Sequence, residues 1–315
     1  MSASGPGLAL AERFWQRNRA ELFEGELAGL GRRVAAGLVG EGSECWGYDD
    51  AISRDHDWGP GCCIWLMRSD WERFGGELQR RYNMVASRYM EGIAPRPATP
   101  PGTPPRVGVF DIEIFYQRFL PSGMPHDSTG WLQAREAMLA AATNGRVFYD
   151  GSGRFSAIRK QLLAYYPDDV RLHRIASNLA RAAQAGQYNF PRQAARGDSL
   201  AALSALVRFN EAVCGVLYAL ARRYRPFYKW VARELLDLGQ VGARAHAHLE
   251  DLAALVRGGD AAASVARIEE VAKMLVDALD AAHLSSNVSP WLMDQATEVA
   301  RHIESPSLRA LDLID

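Results

Sequence analysis

Two short groups of residues near the start of the chain have the types and the spacing that phosphate chemistry requires. Gly42-Ser43 is followed, after eleven residues, by Asp55-His56-Asp57. Side chains alternate along an extended segment, so Asp55 and Asp57 would project from the same side if this segment were a strand. Paired carboxylates suit Mg²⁺, which proteins hold with one or two carboxylates while substrate phosphates complete the shell. Glycine lets a backbone approach a ligand closely, so the Gly-Ser turn is expected to bind those phosphates.

A third acidic position follows in residues 107–116, whose branched and aromatic side chains are typical of a β-strand. Asp111 and Glu113 are two residues apart, so both would lie on one face of that strand. Asp49 and Asp50 stand just ahead of the Asp-X-Asp pair. We interpret them as part of a solvated turn, with support of a metal shell as the alternative.

We do not interpret the histidines and tryptophans considered next as ligands of a metal or a base. His56 would point to the opposite face of a strand, away from a metal held by its two neighbours. His246 and His248 are two apart on a predicted helix, so they would face different directions and are rejected as a metal pair. Large rings in a small domain pack in the core more often than they stack on bases. We therefore assign four tryptophans to the core: Trp46, Trp58, Trp65 and Trp71.

Alternating strand and helix patterns must position these residues in the first half of the chain. Apolar spacing predicts an amphipathic helix over residues 8–39, broken near Gly25 or Gly29. Residues 62–67 form a predicted buried strand, and Ser69 or Asp70 would cap the helix that follows it. Proline-rich residues 95–105 cannot continue regular structure. A helix over 131–142 and then a short strand or extended connection over 146–150 are expected next.

Almost everything after residue 150 has a helical pattern. The expected helices are 154–166, 168–186, 198–224, 227–238, 242–257, 261–283 and 290–312. This change in pattern predicts an α+β protein with two domains, a mixed α/β domain over residues 1–150 and an all-helical domain over 151–315.

Composition excludes several classes of function. The chain has 315 residues and a formal net charge of −1, with 36 Lys plus Arg against 37 Asp plus Glu. No global field therefore favours nucleic acid or an anionic membrane. The four cysteines lack zinc-ligand spacing and are expected to be free thiols. The N-terminus lacks a secretory pattern, and we expect no membrane span of about 20 residues, so the cytoplasm is the expected location.

Residues 42–57, followed by a later acidic strand, resemble the nucleotidyltransferase superfamily. The resemblance implies a third carboxylate on that later strand, for which we favour Glu113, with Asp111 as the alternative. The chain is also similar to proteins with a DUF4037 domain in motifs that, with the loop, cover about residues 40–240. These motifs are Val147-Phe148-Tyr149-Asp150, residues 162–170 (LLAYYPDDV), residues 187–192 (QYNFPR), Arg196-Gly197-Asp198 and residues 223–230 (RYRPFYKW). The superfamily resemblance implies a small mixed sheet flanked by helices, and then a helical domain that closes over the nucleotide. It does not name an acceptor.

Basic and aromatic residues in the DUF4037-like motifs are candidates for contact with the nucleotide. Arg192, Arg196 and Lys229 would neutralise phosphate charge, or else form structural ion pairs with acids such as Asp198 or Glu211. We also expect Tyr188 and Asn189 to contact the base or the acceptor, with a turn anchored by Tyr188 as the alternative. For Asp198 we favour a helix cap over a general base.

The resemblance implies a magnesium-dependent nucleotidyltransferase. Asp55 and Asp57 would hold one Mg²⁺ on the triphosphate, and Glu113 would complete a second Mg²⁺ site near the acceptor. The expected reaction moves AMP from ATP to a hydroxyl of a small molecule or a protein and releases pyrophosphate. The alternatives are a regulatory protein that binds nucleotide without transfer and a helical module that binds a protein partner.

Overall fold

A small sheet and many helices make up residues 6–54, 57–97, 100 and 102–314, the part of the chain that the computed structural model describes. The predicted α+β class is confirmed. Packing divides the chain into two units. The sheet unit contains Met1–Met124 and Met138–Ala164, and the helical unit contains Pro125–Ala137 and Tyr165–Asp315.

The sheet is mixed, as predicted, and has the strand order β3-β2-β1-β4. Its strands are β1 (Ala35–Leu38), β2 (Cys63–Leu66), β3 (Gly108–Asp111) and β4 (Arg146–Asp150). β1 pairs antiparallel with both β2 and β4, whereas β2 and β3 are parallel. The strands predicted over residues 62–67 and 146–150 are thus confirmed, while the strand predicted over 107–116 ends at Asp111.

The register of the strands gives the sheet two chemically different ends. Gly37 near the end of β1 lies opposite Cys63, and Cys63 pairs in turn with Gly108 at the start of β3. We call this the loop end, because the segment that joins β1 to β2 begins and returns there. At the far end Leu66 pairs with Asp111. Three residue steps separate Gly108 from Asp111, so the two ends of β3 lie about 10 Å apart.

Helices fill most of the rest of the described chain. In chain order they are α1 (Pro6–Leu22), α2 (Ser43–Trp46), α3 (Arg68–Ala86), α4 (Ile112–Gln117), α5 (Ser128–Gln133), α6 (Glu136–Thr143), α7 (Arg154–Leu163), α8 (Asp168–Ala182), α9 (Phe190–Ala195), α10 (Ser199–Leu220), α11 (Tyr228–Leu235), α12 (Gly239–Gly258), α13 (Ala261–Ala281), α14 (Leu292–Arg301) and α15 (Pro306–Arg309). In the helical unit α10 and α14 pack against α8, and α12 packs against α13.

The long N-terminal helix predicted over residues 8–39 is wrong beyond α1. The chain instead makes two short 3₁₀ turns and then enters β1, whose four residues are all buried. A strand buried on both faces has no alternating pattern, so Ala-Ala-Gly-Leu carries little local signal. Tertiary pairing decides its structure. A Cβ on Gly37 would lie 2.4 Å from the Arg146 carbonyl oxygen, so only glycine allows β4 to approach this closely.

A π-helical segment, Ala183–Asn189, links α8 to α9 in place of the continuous helix predicted to residue 186. Gly186 allows this segment to touch α10, since a Cβ there would lie 2.2 Å from the Phe209 ring. Pro191 follows in the first turn of α9, where a missing N–H is tolerated. The QYNFPR motif spans the end of this segment and the first turn of α9.

Aromatic rings build the core beside the sheet. Trp65 is fully buried, and its ring stacks on Phe155 at 3.8 Å between centroids. The core interpretation is therefore confirmed for Trp65, whereas the other three tryptophans of the signature region are only partly buried. All four cysteines are free and buried, as predicted for free thiols.

Among the described residues, one helix, α10, is long and apolar enough to cross a membrane by length and composition alone. More than half of its most apolar window is buried by other parts of the protein, at 56%. The core helix of a globular unit has the same composition, so this feature does not distinguish the two environments.

Candidate functional site

The connection between β1 and β2 carries the predicted phosphate-binding turn. The side chain of Asn144 fixes its start: the Gly40 N–H donates to Asn144 Oδ1 at 2.9 Å, and Asn144 Nδ2 donates to the Gly40 carbonyl at 2.6 Å. Gly42 is extended and immediately precedes the short helix α2, whose first residue is Ser43. The helix ends at Trp46 and is followed by Gly47, which has a φ of 71°. The Gly-Ser pair therefore lies at the loop end of the sheet.

Asp57 lies in a bend rather than on a strand. Residues Ile52–Arg54 form a 3₁₀ turn, and Asp57 has a φ of 53° in the left-handed region. The extended geometry assumed for the Asp-X-Asp pair is therefore absent at Asp57. Asp55 and His56 lie outside the described residues. A non-glycine residue with positive φ is uncommon, and surrounding contacts must hold it there.

Arg106 brings the turn and Asp57 together. Its Nε lies 3.4 Å from Asp57 Oδ2, and its Nη1 would lie 3.4 Å from a Cβ on Gly42. Arg106 precedes β3 by two residues, so its guanidinium stands at the loop end, where it is partly exposed. Sequence reasoning missed this residue. The available signal was an arginine directly before the predicted strand over residues 107–116.

Arg96 holds the same loop from its buried side. It donates through Nη2 to Glu44 Oε1 at 2.7 Å and to the Gly59 carbonyl at 3.0 Å, and through Nη1 to the Asp57 carbonyl. Its side chain is 9% exposed and that of Glu44 is 4% exposed. Burial raises the pKa of Glu44, while the Arg96 charge opposes that rise. Sequence reasoning placed Arg96 in an irregular proline-rich stretch and gave it no role.

The two acids before the Asp-X-Asp pair have different surroundings. Asp49 is buried, and its Oδ2 accepts hydrogen bonds from the Gly7 N–H at 2.8 Å and from Trp58 Nε1 at 2.9 Å. The solvated-turn interpretation is therefore wrong for Asp49, which ties α1 to the loop. Asp50 is exposed and accepts the N–H groups of two following residues, as a solvated turn requires.

The two candidates for the third carboxylate lie at the other end of β3. Asp111 is the last residue of that strand and also caps α4, because its Oδ1 accepts the Ile114 N–H at 2.8 Å. It is 1% exposed, and its Oδ2 has no hydrogen-bond partner among the described residues. Glu113 lies in the first turn of α4 and is exposed. The predicted strand face shared by Asp111 and Glu113 does not exist, since α4 begins between them.

The described residues give no support to the two-metal clamp, and with Asp55 outside them the clamp stays a prediction. Asp57 lies at the loop end, whereas Asp111 lies about 10 Å from the start of β3, at the far end. Across residues 6–54, 57–97, 100 and 102–314, no three His, Cys, Asp or Glu side chains are grouped to hold a metal ion. A single Mg²⁺ needs only one or two carboxylates when phosphates complete the shell, which leaves Asp57 and Asp55 as its candidate ligands.

The candidates from the second half lie in the helical unit and make local contacts. Arg192 stacks 3.4 Å above the centroid of the exposed Tyr188 ring and donates to the Tyr188 carbonyl at 2.9 Å. Arg196 donates to Gln193 Oε1 at 3.3 Å. Lys229 Nζ is 5.0 Å from the centroid of its neighbour, the Trp230 ring. The structure therefore pairs Tyr188 with Arg192. Arg196 and Lys229 each contact a different neighbouring side chain.

The structural alternatives for these residues have different outcomes. Asp198 caps α10 by accepting the Ala201 N–H at 3.0 Å, so the predicted cap is confirmed. In the part of the chain that the structure describes, Arg192, Arg196 and Lys229 form no ion pair with Asp198 or with Glu211. The ion-pair interpretation is therefore wrong for the described contacts.

Comparison with known protein families gives a match over about a third of the chain. Searches of curated proteins and of solved structures found no match to this chain. One family model does match, and its span includes the motifs of residues 162–170, 187–192, 196–198 and 223–230. The loop of residues 42–57 lies outside that span. Residues 131–231 thus match the Domain of unknown function (DUF4037).

Proposed function

We propose that the protein is a magnesium-dependent nucleotidyltransferase that binds its nucleotide at the loop end of the sheet. The observation that carries this proposal is the convergence of Gly42, Asp57 and Arg106. A glycine turn, a carboxylate and a half-exposed guanidinium at one place provide phosphate contacts and a cation ligand together. The mixed sheet agrees with the fold that the superfamily resemblance implies.

The residues at the loop end have two roles in this proposal, phosphate binding and Mg²⁺ binding. Backbone N–H groups near Gly42, the Ser43 hydroxyl and the Arg106 guanidinium bind the β- and γ-phosphates. Asp57, together with Asp55, holds one Mg²⁺, which supplies charge neutralisation for the phosphates. A hydroxyl oxygen of the acceptor forms the new bond to the α-phosphorus and its proton passes to water. The bond between the α-phosphorus and the bridging oxygen breaks, so pyrophosphate leaves and AMP remains on the acceptor. The acceptor is a small molecule or a protein.

A second candidate, nucleotide binding without transfer, is favoured by one specific observation. Asp111 and Glu113 lie at the far end of β3 and at the start of α4, away from the Gly-Ser turn. Asp55 and Asp57 alone are enough to hold the Mg²⁺ of a bound nucleotide. They do not provide a second Mg²⁺ that would activate the attacking hydroxyl. On this alternative the protein is a nucleotide-responsive regulatory protein.

The test combines binding and transfer in two matched variants. Calorimetry measures ATP binding with and without Mg²⁺, and α-labelled ATP with cell extract as the acceptor source measures transfer. We expect Asp57→Asn to lose at least about 100-fold in magnesium-dependent affinity or product, because a ligand of the phosphate-bound ion is removed. Glu113→Gln is the control and is expected to stay within about twofold, because Glu113 is exposed at the far end.

Each outcome separates the two candidates. Labelled product that disappears in Asp57→Asn and persists in Glu113→Gln supports transfer at the loop end. Magnesium-dependent binding without product from any extract supports the regulatory alternative. Full product formation by Asp57→Asn would contradict both candidate functions. Loss of product in Glu113→Gln would support the predicted role of Glu113 at a second Mg²⁺ site.

A further inference from the structure

A cavity of about 580 Å³ lies within the helical unit, bordered by α10, α11 and α12 and by residues 135–137. Its volume is within the range of about 300–1,000 Å³ that is typical of sites for small molecules. It includes part of the RYRPFYKW motif and lies inside the unit that contains most of the DUF4037 match. The cavity is not lined by the basic residues predicted to contact phosphate, which are Arg192, Arg196 and Lys229.

Most of the wall is apolar. Val231 and Leu235 contribute from α11, Leu249 from α12 and Cys214 from α10. Cys214 is buried, and burial raises the pKa of its thiol to about 12. The thiol is therefore protonated at neutral pH and acts as a small apolar group. The cavity accordingly fits a ligand with an apolar body.

The charged side chains of the wall leave an excess of negative charge. Arg225 is neutralised internally, since its Nε lies 3.5 Å from Glu136 Oε2 and its Nη1 donates to the Glu211 carbonyl at 2.7 Å. Glu211 and Glu250 take part in no ion pair within the part of the chain that the structure describes. Arg135, which forms no ion pair among the described residues either, is the opposing charge. Two carboxylates against one guanidinium favour a cationic ligand.

Two further features point to a ligand that donates hydrogen bonds and carries positive charge. Asn210 lines the cavity, and its Oδ1 is buried without a hydrogen-bond partner among the described residues. A buried acceptor without a donor is costly, so a ligand N–H would be stabilised there. Phe227 and Tyr228 are exposed, with ring centroids 4.6 Å apart. Adjacent ring faces of this kind attract ammonium groups.

We propose that this cavity binds a small organic cation in which an ammonium group is attached to an apolar body. The apolar body packs against α10, α11 and α12. The ammonium group lies toward Asn210, Glu211 and Glu250, beside the two aromatic rings. This site is independent of the proposed transfer reaction in the sheet unit, so failure of one leaves the other standing.

The test uses three probes that share one apolar body. A naphthylethyl group carrying an amine, a hydroxyl or a carboxylate is titrated into the full-length protein by calorimetry. We expect the amine to bind at least about tenfold more tightly than the carboxylate and more tightly than the alcohol. In the double variant Glu211→Gln/Glu250→Gln, the Kd of the amine is expected to rise about fivefold to tenfold, while the Kd of the alcohol stays unchanged.

Two controls keep the result interpretable. Ala232→Trp fills the cavity from an exposed position of α11, so it is expected to abolish binding of all three probes while the unfolding transition is preserved. Glu298→Gln removes a carboxylate of α14 that does not line the cavity and is expected to change nothing. Equal affinity for amine and carboxylate, an unchanged amine Kd in the double variant, or no binding of any probe would each overturn the proposal.

Discussion

Within the described residues, each unit buries a glutamate against an arginine, but the two pairs have different surroundings. The side chains of Glu44 in the sheet unit and Glu234 in the helical unit are each 4% exposed. Each also keeps one carboxylate oxygen without a hydrogen-bond partner among the described residues. Their arginines differ, because the Arg96 side chain is 9% exposed and that of Arg223 is 40% exposed.

The difference shows what a buried ion pair does beyond neutralising charge. Arg96 also donates to the carbonyls of Asp57 and Gly59, so it holds a loop that is remote in sequence from it. Arg223 donates to the carbonyl of Asp237 at 3.4 Å, which fixes a local turn after α11. One pair therefore organises the candidate nucleotide site, and the other closes a helix end.

The largest expected effect comes from Arg96→Ala. Glu44 would be left buried without a countercharge, at a cost of about 3–5 kcal/mol in the free energy of unfolding at neutral pH. The cost should shrink as pH falls, because protonated Glu44 needs no countercharge. Urea unfolding measures it. Arg223→Ala is expected to cost less, about 1–3 kcal/mol, since water already reaches that guanidinium.

A matched control calibrates this comparison. Arg68→Ala breaks an ion pair with Glu72 in which both side chains are more than half exposed, so the expected loss is below about 1 kcal/mol. If Arg96→Ala loses no more than Arg68→Ala, burial does not give the Arg96 pair its importance. Equal losses in Arg96→Ala and Arg223→Ala would remove the distinction between the two units.

A smaller effect should appear in the pH dependence of stability. Burial raises the pKa of Glu234 from 4.5 to about 7, although Arg223 opposes the rise. The folded protein therefore keeps a proton that the unfolded chain releases. This stabilisation is complete below pH 4.5 and is lost as pH rises through about 7, by at most about 1.4 kcal/mol per pH unit. Glu234→Gln should flatten the slope of unfolding free energy in this window.

The wild-type protein is the control for that experiment, measured by urea unfolding at matched pH values. Identical slopes in the wild type and in Glu234→Gln would mean that Arg223 keeps Glu234 ionised throughout.

The smallest effect is expected at Asp111, a buried carboxylate that has no arginine partner in the described contacts. Asp111→Ala removes the cap of α4 and should cost about 1 kcal/mol. Asp111→Asn keeps a capping oxygen and should lower the free energy of unfolding by only a few tenths of a kcal/mol. Unfolding measures both variants, and ATP binding is expected to stay within about twofold. Loss of ATP binding in Asp111→Asn at unchanged stability would assign Asp111 to the nucleotide site.

Some elements of the fold could be predicted because their signals are local. The branched and aromatic residues of β2 and the strong helical periodicity of α8, α10 and α13 identified those elements without tertiary information. β1 could not be predicted, because its buried Ala-Ala-Gly-Leu sequence becomes a strand only through pairing with β2 and β4. The end of β3 was missed for a related reason, since Asp111 acts as a helix cap inside an apparently continuous strand pattern.

By itself, the sequence determined that a sheet-forming part of the chain precedes a mainly helical part, and it nominated the residues proposed to carry chemistry. Composition, spacing and periodicity are local properties, and they placed Gly42, Ser43 and Asp57 in one candidate loop. Tertiary structure decided which charges meet. Strand register put Asp111 about 10 Å from the start of β3, while Arg106 and Arg96 reached the loop from distant parts of the chain. Such contacts depend on pairing between segments far apart in sequence, which no local pattern records.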